Sequence, residues 1–141
     1  MLFRLTAALT LAAVVLGGAP ALAGPPAVIV DETQVMKREP PPHGAIGMST
    51  SYRISDVAPD RTMEFRKRVL HVGAAIGAHP IDHDEVYYVL SGEGEVVSDG
   101  KTARLTAGMA AYLYKSAIVG IRQVGDKELT LIISYPVVPK P

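Results

Sequence analysis

His79, His83 and Glu85 bring two imidazoles and a carboxylate into one short stretch, Gly77-Ala78-His79-Pro80-Ile81-Asp82-His83-Asp84-Glu85. Groups of these kinds bind divalent transition metals and move protons near neutral pH. His79 and Ile81 lie two apart, so they share a face if the stretch is extended. A tight turn over Asp82 to Asp84 returns Glu85 on a paired strand, where it can face His79. An imidazole and a carboxylate converging in one cavity suit Fe, Mn, Ni, Cu or Zn. Two ligands rarely hold such an ion against water, and catalytic zinc sites use three protein ligands. His83 supplies the third if the turn contains a bulge; otherwise it points to water. His71, which shares parity with Val69, and His43 are the other imidazole candidates. His43 follows three prolines and needs that segment to fold over the cavity.

Without a metal, His79 and Glu85 make a buried polar pair. Such a pair is expensive to desolvate, and perturbed pairs cluster at functional sites. Glu85 is then the candidate catalytic base, with His79 orienting it. Tyr87 shares parity with Glu85 and is expected to point inward. Tyr112 and Tyr114 share parity on a later segment. Tyrosines around a cavity suit a small polar or aromatic ligand, and core or rim packing is the competing reading.

The elements that must position these residues read as β. Tyr52 to Ser55 is short and alternating. Met63 to Val72 is longer, with Met63, Phe65 and Val69 on one parity. The basic cluster Arg66-Lys67-Arg68 inside it reads as the solvated face of that strand. Val86–Leu90 and Glu95–Ser98 flank the glycine-rich turn Ser91-Gly92-Glu93-Gly94. Asp99-Gly100 marks a second hairpin corner. Thr102–Thr106, Met109–Tyr114, Ala117–Gln123 and Leu129–Tyr135 follow, separated by turn residues. Many short strands at even spacing argue for a sandwich or barrel. Before them, residues 24–50 read as an extended arm. Glu39-Pro40-Pro41-Pro42 is too proline-rich for a helix or central strand. Ala27–Val30 suits a short edge or swapped strand. After them, residues 136–141 read as a frayed, extended tail.

Composition narrows the function classes. The chain has 14 Lys+Arg against 14 Asp+Glu, so it offers no electrostatic case for nucleic acid or an anionic membrane. It has no cysteine, which removes thiolate metal sites, cysteine nucleophiles and disulfide support. Residues 1–23 read as a secretory signal peptide. Arg4 gives the positive start, Leu5 to Ala19 the apolar run, and Ala21-Leu22-Ala23 the small-residue cleavage site. The expected location of the processed chain is the periplasm or the exterior, free of the membrane.

The stretch from Gly77 to Glu95 resembles the first motif of the cupin family. That motif has two histidines one residue apart, then a glutamate, then a glycine seven beyond it. His79, Glu85 and Gly92 match it, and Ile81 stands where the second histidine belongs. Leu105 to Leu113 resembles the start of the second motif. Counting from Gly108 puts Val119 at that motif's histidine position and Gln123 at its asparagine position. The resemblance covers roughly residues 66–135. It implies an all-β, double-stranded β-helix (cupin jelly-roll barrel), with the barrel over 51–135. It also implies a divalent metal centre in which two of four ligand positions are filled, leaving His79, Glu85 and His83 as candidate ligands. Tyr87, Tyr112 and Gln123 are the candidate pocket residues. A homodimer formed through an N-terminal strand, here Val28–Val30, is a further implication.

Two function classes follow. One is a metal-dependent oxygenase, isomerase or decarboxylase acting on a small molecule. The other is a metal-free module that binds a small molecule or sugar. Ile81 and Val119 favour the second, while His79 and Glu85 together favour the first.

Overall fold

The computed structural model describes residues 24–137, so the signal-peptide reading of 1–23 and the tail beyond Val137 lie outside the described residues. Ten strands form two antiparallel sheets. They are β1 (Met36–Glu39), β2 (Ser49–Tyr52), β3 (Met63–Leu70), β4 (Ala75–Pro80), β5 (Glu85–Ser91), β6 (Glu93–Ser98), β7 (Lys101–Thr106), β8 (Ala110–Leu113), β9 (Ile118–Val124) and β10 (Leu129–Pro136). One sheet runs β1-β2-β3-β10-β5-β8 and the other β4-β9-β6-β7. Consecutive strands cross between sheets at β3–β4, β4–β5, β5–β6, β7–β8, β8–β9 and β9–β10, which wraps the chain into the double-stranded β-helix. Short one-turn 3-10 helices, Glu32–Val35 and Ile54–Val57, are the described helical elements. No helix among the described residues is long and apolar enough to cross a membrane.

Period-two patterning sets the core. Leu129, Leu131 and Ile133 alternate inward on β10, as Tyr87 and Val89 do on β5 and Val119 and Ile121 on β9. These side chains form one apolar cluster spanning both sheets. The Asp99-Gly100 corner has positive φ at both residues, 48° and 78°, as a two-residue type I′ hairpin requires.

Four expectations need correction. The arm expected over 24–50 contains β1 and the first half of β2, which extend the six-stranded sheet beyond β3. Ala27–Val30 makes no strand, and Ile29 is 90% exposed. Pro136 closes β10, and Val137 N–H donates to the Thr62 carbonyl at 2.9 Å, so the tail is anchored at its start. The fourth correction concerns β3. Its inward face is the charged one: Glu64, Arg68 and Leu70 are buried, while Met63 and Phe65 face out. An apolar parity here points to solvent and a charged parity to the interior.

Candidate functional site

Three rungs cross the inner face of the larger sheet. Glu64 pairs with Tyr135, and the pairing of Ser134 with Val86 sets Tyr135 beside Glu85. One step further in, Arg66, Ile133 and Tyr87 lie side by side. Another step in are Arg68, Leu131 and Val89. Strand β4 and the loop after it close the opposite wall with Ile76, His79, Ile81 and His83. Pro42 and His43 complete the rim. With Arg66, Arg68, Glu85, Tyr87, Ile133 and Tyr135 from the rungs, they line a cavity of about 480 Å³.

His79 does not stand free. Its Nδ1–H donates to the Gly77 carbonyl at 2.8 Å, and its ring stacks on His43 with centroids 3.5 Å apart and planes 6° apart. Gly77 permits this. A Cβ there would lie 1.8 Å from the His43 carbonyl oxygen, so only glycine lets the His43 backbone pass so close. The segment reaches that position through positive φ at His43, Gly44 and Ala45. Burial, and then the charge of His79, hold the His43 imidazole below its ordinary pKa.

Glu85 is 6% exposed. Burial pushes its carboxyl up to about 6, against the pull of His83 and Arg66. His83 is its neighbour, with Nε2 3.7 Å from a Glu85 oxygen. The His83 ring stacks on Tyr135 at 4.3 Å, its Nδ1–H donates to Asp82 at 2.7 Å, and its buried Nε2 has no hydrogen-bond partner among the described groups. His83 thus faces the cavity from the turn, with one unsatisfied nitrogen beside the carboxyl. The general-base expectation for Glu85 therefore acquires a different imidazole neighbour, His83 in place of His79.

The donors fall into two pairs, His43 with His79 and His83 with Glu85. Among the described residues no group of three or more His, Asp or Glu side chains is placed to hold one ion. The fourfold ligand set of the resemblance is broken at its centre. Ile81 is buried and lines the cavity, and Val119, fully buried, sits directly opposite His79 in the β4–β9 register. Two apolar side chains stand where imidazoles would complete a transition-metal shell, so the donor set does not fit the expected Fe, Mn, Ni, Cu or Zn centre.

Of the expected pocket residues, Tyr87 lines the cavity, is buried, and has its phenol pKa raised by that burial. Tyr112 does not line it. Its hydroxyl donates to Asp84 at 2.6 Å on the barrel exterior, in a smaller hollow of about 300 Å³ that Glu85 and Tyr135 also border. Tyr114 is 70% exposed. Gln123 is buried but faces a loop. Its amide nitrogen donates to the carbonyls of Val124, Gly125 and Lys127, and its oxygen accepts from Gly73 N–H. Both its amide N–H groups are spent on clipping two turns together, and the side chain does not line the cavity. His71 bonds Thr50 at 3.0 Å and lies outside the cavity. Sequence reasoning missed Arg66, Arg68 and Tyr135, all on the cavity wall.

A barrel of two antiparallel sheets with this cavity between them is the architecture of a cupin. The cupin domain model matches residues 67–135, and the chain belongs to the cupin family. A predicted oxalate decarboxylase from Thermotoga maritima is 20% identical, with a TM-score of 0.70 over 79% of this chain and all of that one. An RmlC-like cupin from Shewanella frigidimarina is 21% identical, with a TM-score of 0.58 over 73% of this chain and 85% of that one. The protein TT1209 from Thermus thermophilus is 24% identical, with a TM-score of 0.57 over 79% and 98%. At these identities the likeness shows the shared fold. No curated protein sequence matches.

Proposed function

We propose that this chain is an exported cupin that binds a small polar molecule in its barrel without a metal ion. The observation that carries the reading is the division of the donors into two pairs, with Ile81 and Val119 filling the remaining ligand positions. The cavity nevertheless keeps a buried carboxyl, an unsatisfied imidazole nitrogen and two guanidinium groups, which is how a few polar groups orient a ligand among apolar walls. A second reading, in which the bound molecule is turned over by proton transfer, is favoured by one feature. Glu85 near 6 beside His83 can accept and return a proton close to neutral pH.

Elemental analysis of the purified protein, prepared without chelator or affinity tag and then incubated with Fe, Mn, Ni, Cu and Zn salts, tests the metal question. The expected result is well below one equivalent of any metal and the same melting temperature with and without chelator. Near one equivalent in the wild type, lost in both His79→Ala and Glu85→Ala, overturns this reading. It would make a metal-dependent oxygenase, isomerase or decarboxylase the function to pursue.

The same proposal places the protein in the periplasm or outside the cell, and as a homodimer. Val28 and Ile29, exposed and unpaired with any strand, are the segment a second copy would cover. Light scattering is expected to give twice the chain mass for the wild type and the monomer mass for Val28→Asp with Ile29→Asp. A monomeric wild type removes the dimer from the proposal.

A further inference from the structure

We propose that the molecule held in the cavity is a small organic acid, its carboxylate bound by Arg68 with Arg66 beside it. This deepens the small-molecule reading above and rests on it.

Arg68 has more hydrogen-bond donors than partners. It is 5% exposed, deep on the inner face of β3, and it lines the cavity. A guanidinium carries five N–H donors. Among the described residues one of them is used well: Nη1 donates to Ser49 Oγ at 2.7 Å. The nearest carboxylate, Glu39, is 3.5 Å away, beyond the usual range of about 2.7–3.2 Å for an N–H···O bond. Glu39 is also committed elsewhere, to Arg53 at 3.1 Å and Lys37 at 3.3 Å. A buried cation this poorly matched is destabilising unless another anion approaches it.

The charge balance around it points the same way. Arg66 shares Glu64 with Arg61 and lies 3.7 Å from Asp56. That group is balanced, two cations to two carboxylates, whereas Glu39 alone faces three cations, Lys37, Arg53 and Arg68. The excess of positive charge lies in the Glu39 group and meets the cavity at Arg68, with the Arg66 guanidinium also on the wall. The cavity wall has two carboxylates of its own. Asp82 is largely solvated, and Glu85 is at the outer rung, turned toward His83.

Shape selects an organic acid. The planar fork of arginine matches the two oxygens of a carboxylate. Beyond the fork the walls are Ile76, Ile81, Ile133 and the Tyr87 ring, which suit a carbon skeleton. Glu85 and the unsatisfied Nε2 of His83 then face the far end of the ligand, where they can bond a hydroxyl.

The test pairs acids with neutral analogues of similar size: glucuronate against glucose, and benzoate against benzyl alcohol. Binding to the full chain, as processed by the expressing cell, is followed by calorimetry and thermal shift. At least one acid should bind where its neutral partner does not. Losing a charge-assisted bond in Arg68→Met should weaken that acid roughly tenfold or more, and Arg66→Gln should weaken it less. Arg68→Met with Glu39→Gln removes both members of the buried pair and serves if the single variant fails to fold. If neutral partners bind as well as the acids, or the arginine variants bind the acid unchanged, the organic-acid assignment falls and the small-molecule reading stands. If no probe of either kind binds, both fall.

Discussion

Replacing Glu85 with glutamine is expected to make the protein more stable at pH 7, by about 2 kcal/mol or roughly 8 °C in melting temperature. The carboxyl sits on the cavity wall between His83 and Tyr135, and burial raises it from an ordinary 4.5 to about 6. In the unfolded chain it ionises near 4.5. In the folded protein it holds its proton until about 6. Between those values the folded state binds a proton that the unfolded chain has released, so stability falls as pH rises through this window. Above it the loss is complete and constant. Glutamine has no charge to desolvate, so its advantage is full at about pH 7 and absent at about pH 4. Melting curves of both proteins at the two pH values decide the matter. An equal effect at both, or a loss of stability at pH 7, means that the ionised carboxylate is well served where it lies. Glu85 would then be an ordinary structural residue. The predicted pattern is that of a group retained at a cost to stability, as residues that act on ligands often are.

The site was legible in part, and the division has a physical cause. His79, Glu85 and Tyr87 were found because side chains two apart share a face, and the structure puts Glu85 and Tyr87 on the inner face of β5. His83 was left open between a bulge and a solvated turn. It lines the cavity because its ring stacks on Tyr135, a contact between residues far apart in sequence. Tyr112 and Gln123 were misplaced for opposite reasons. Tyr112 has a polar partner, Asp84, outside the barrel, and Gln123 has its partners in the turn it closes. Neither partner could be assigned from periodicity.

Arg66 and Arg68 were missed because period two reveals that a strand has two faces and does not say which is buried. The rule that apolar residues lie inside chose Met63 and Phe65. Leu70 carried the opposite signal at the end of the strand, fully buried on the same parity as Glu64 and Arg68. Ser49 and Ser51, also buried, supply the polar neighbours that a charged inner face requires, and they sit on β2 beside it. The barrel itself was readable from spacing and turn chemistry. Its first strand was not, because Met36–Glu39 is followed directly by three prolines that obscure the pattern, and the strand expected over Tyr52–Ser55 lies earlier, at Ser49–Tyr52, with a 3-10 helix from Ile54.

Gly92→Ala is expected to destabilise the protein by about 2–5 kcal/mol, through two separable effects. Gly92 joins β5 to β6 at a φ of +75°, where an L-residue bearing Cβ is strained by about 1–2 kcal/mol. The second effect is a close approach of backbone. A Cβ at this position would lie 2.0 Å from the Glu128 carbonyl oxygen and 3.0 Å from Leu129 Cα. Neither atom can swing aside as a side chain would. Leu129 begins β10, is fully buried, and pairs with Leu70 of β3, so moving it disturbs the strand that crosses the middle of the larger sheet. Gly100→Ala is the matched control. Its φ is +78°, and an added Cβ meets nothing within 4 Å, so it carries the conformational strain alone. Urea denaturation of both variants, with unchanged slope as the check on two-state unfolding, gives the difference between them. A difference of about 1–3 kcal/mol in favour of Gly100→Ala is the contribution of overpacking against β10. Equal losses in the two variants would show that the β5–β6 turn yields freely, and that this glycine is required for its dihedral angle alone.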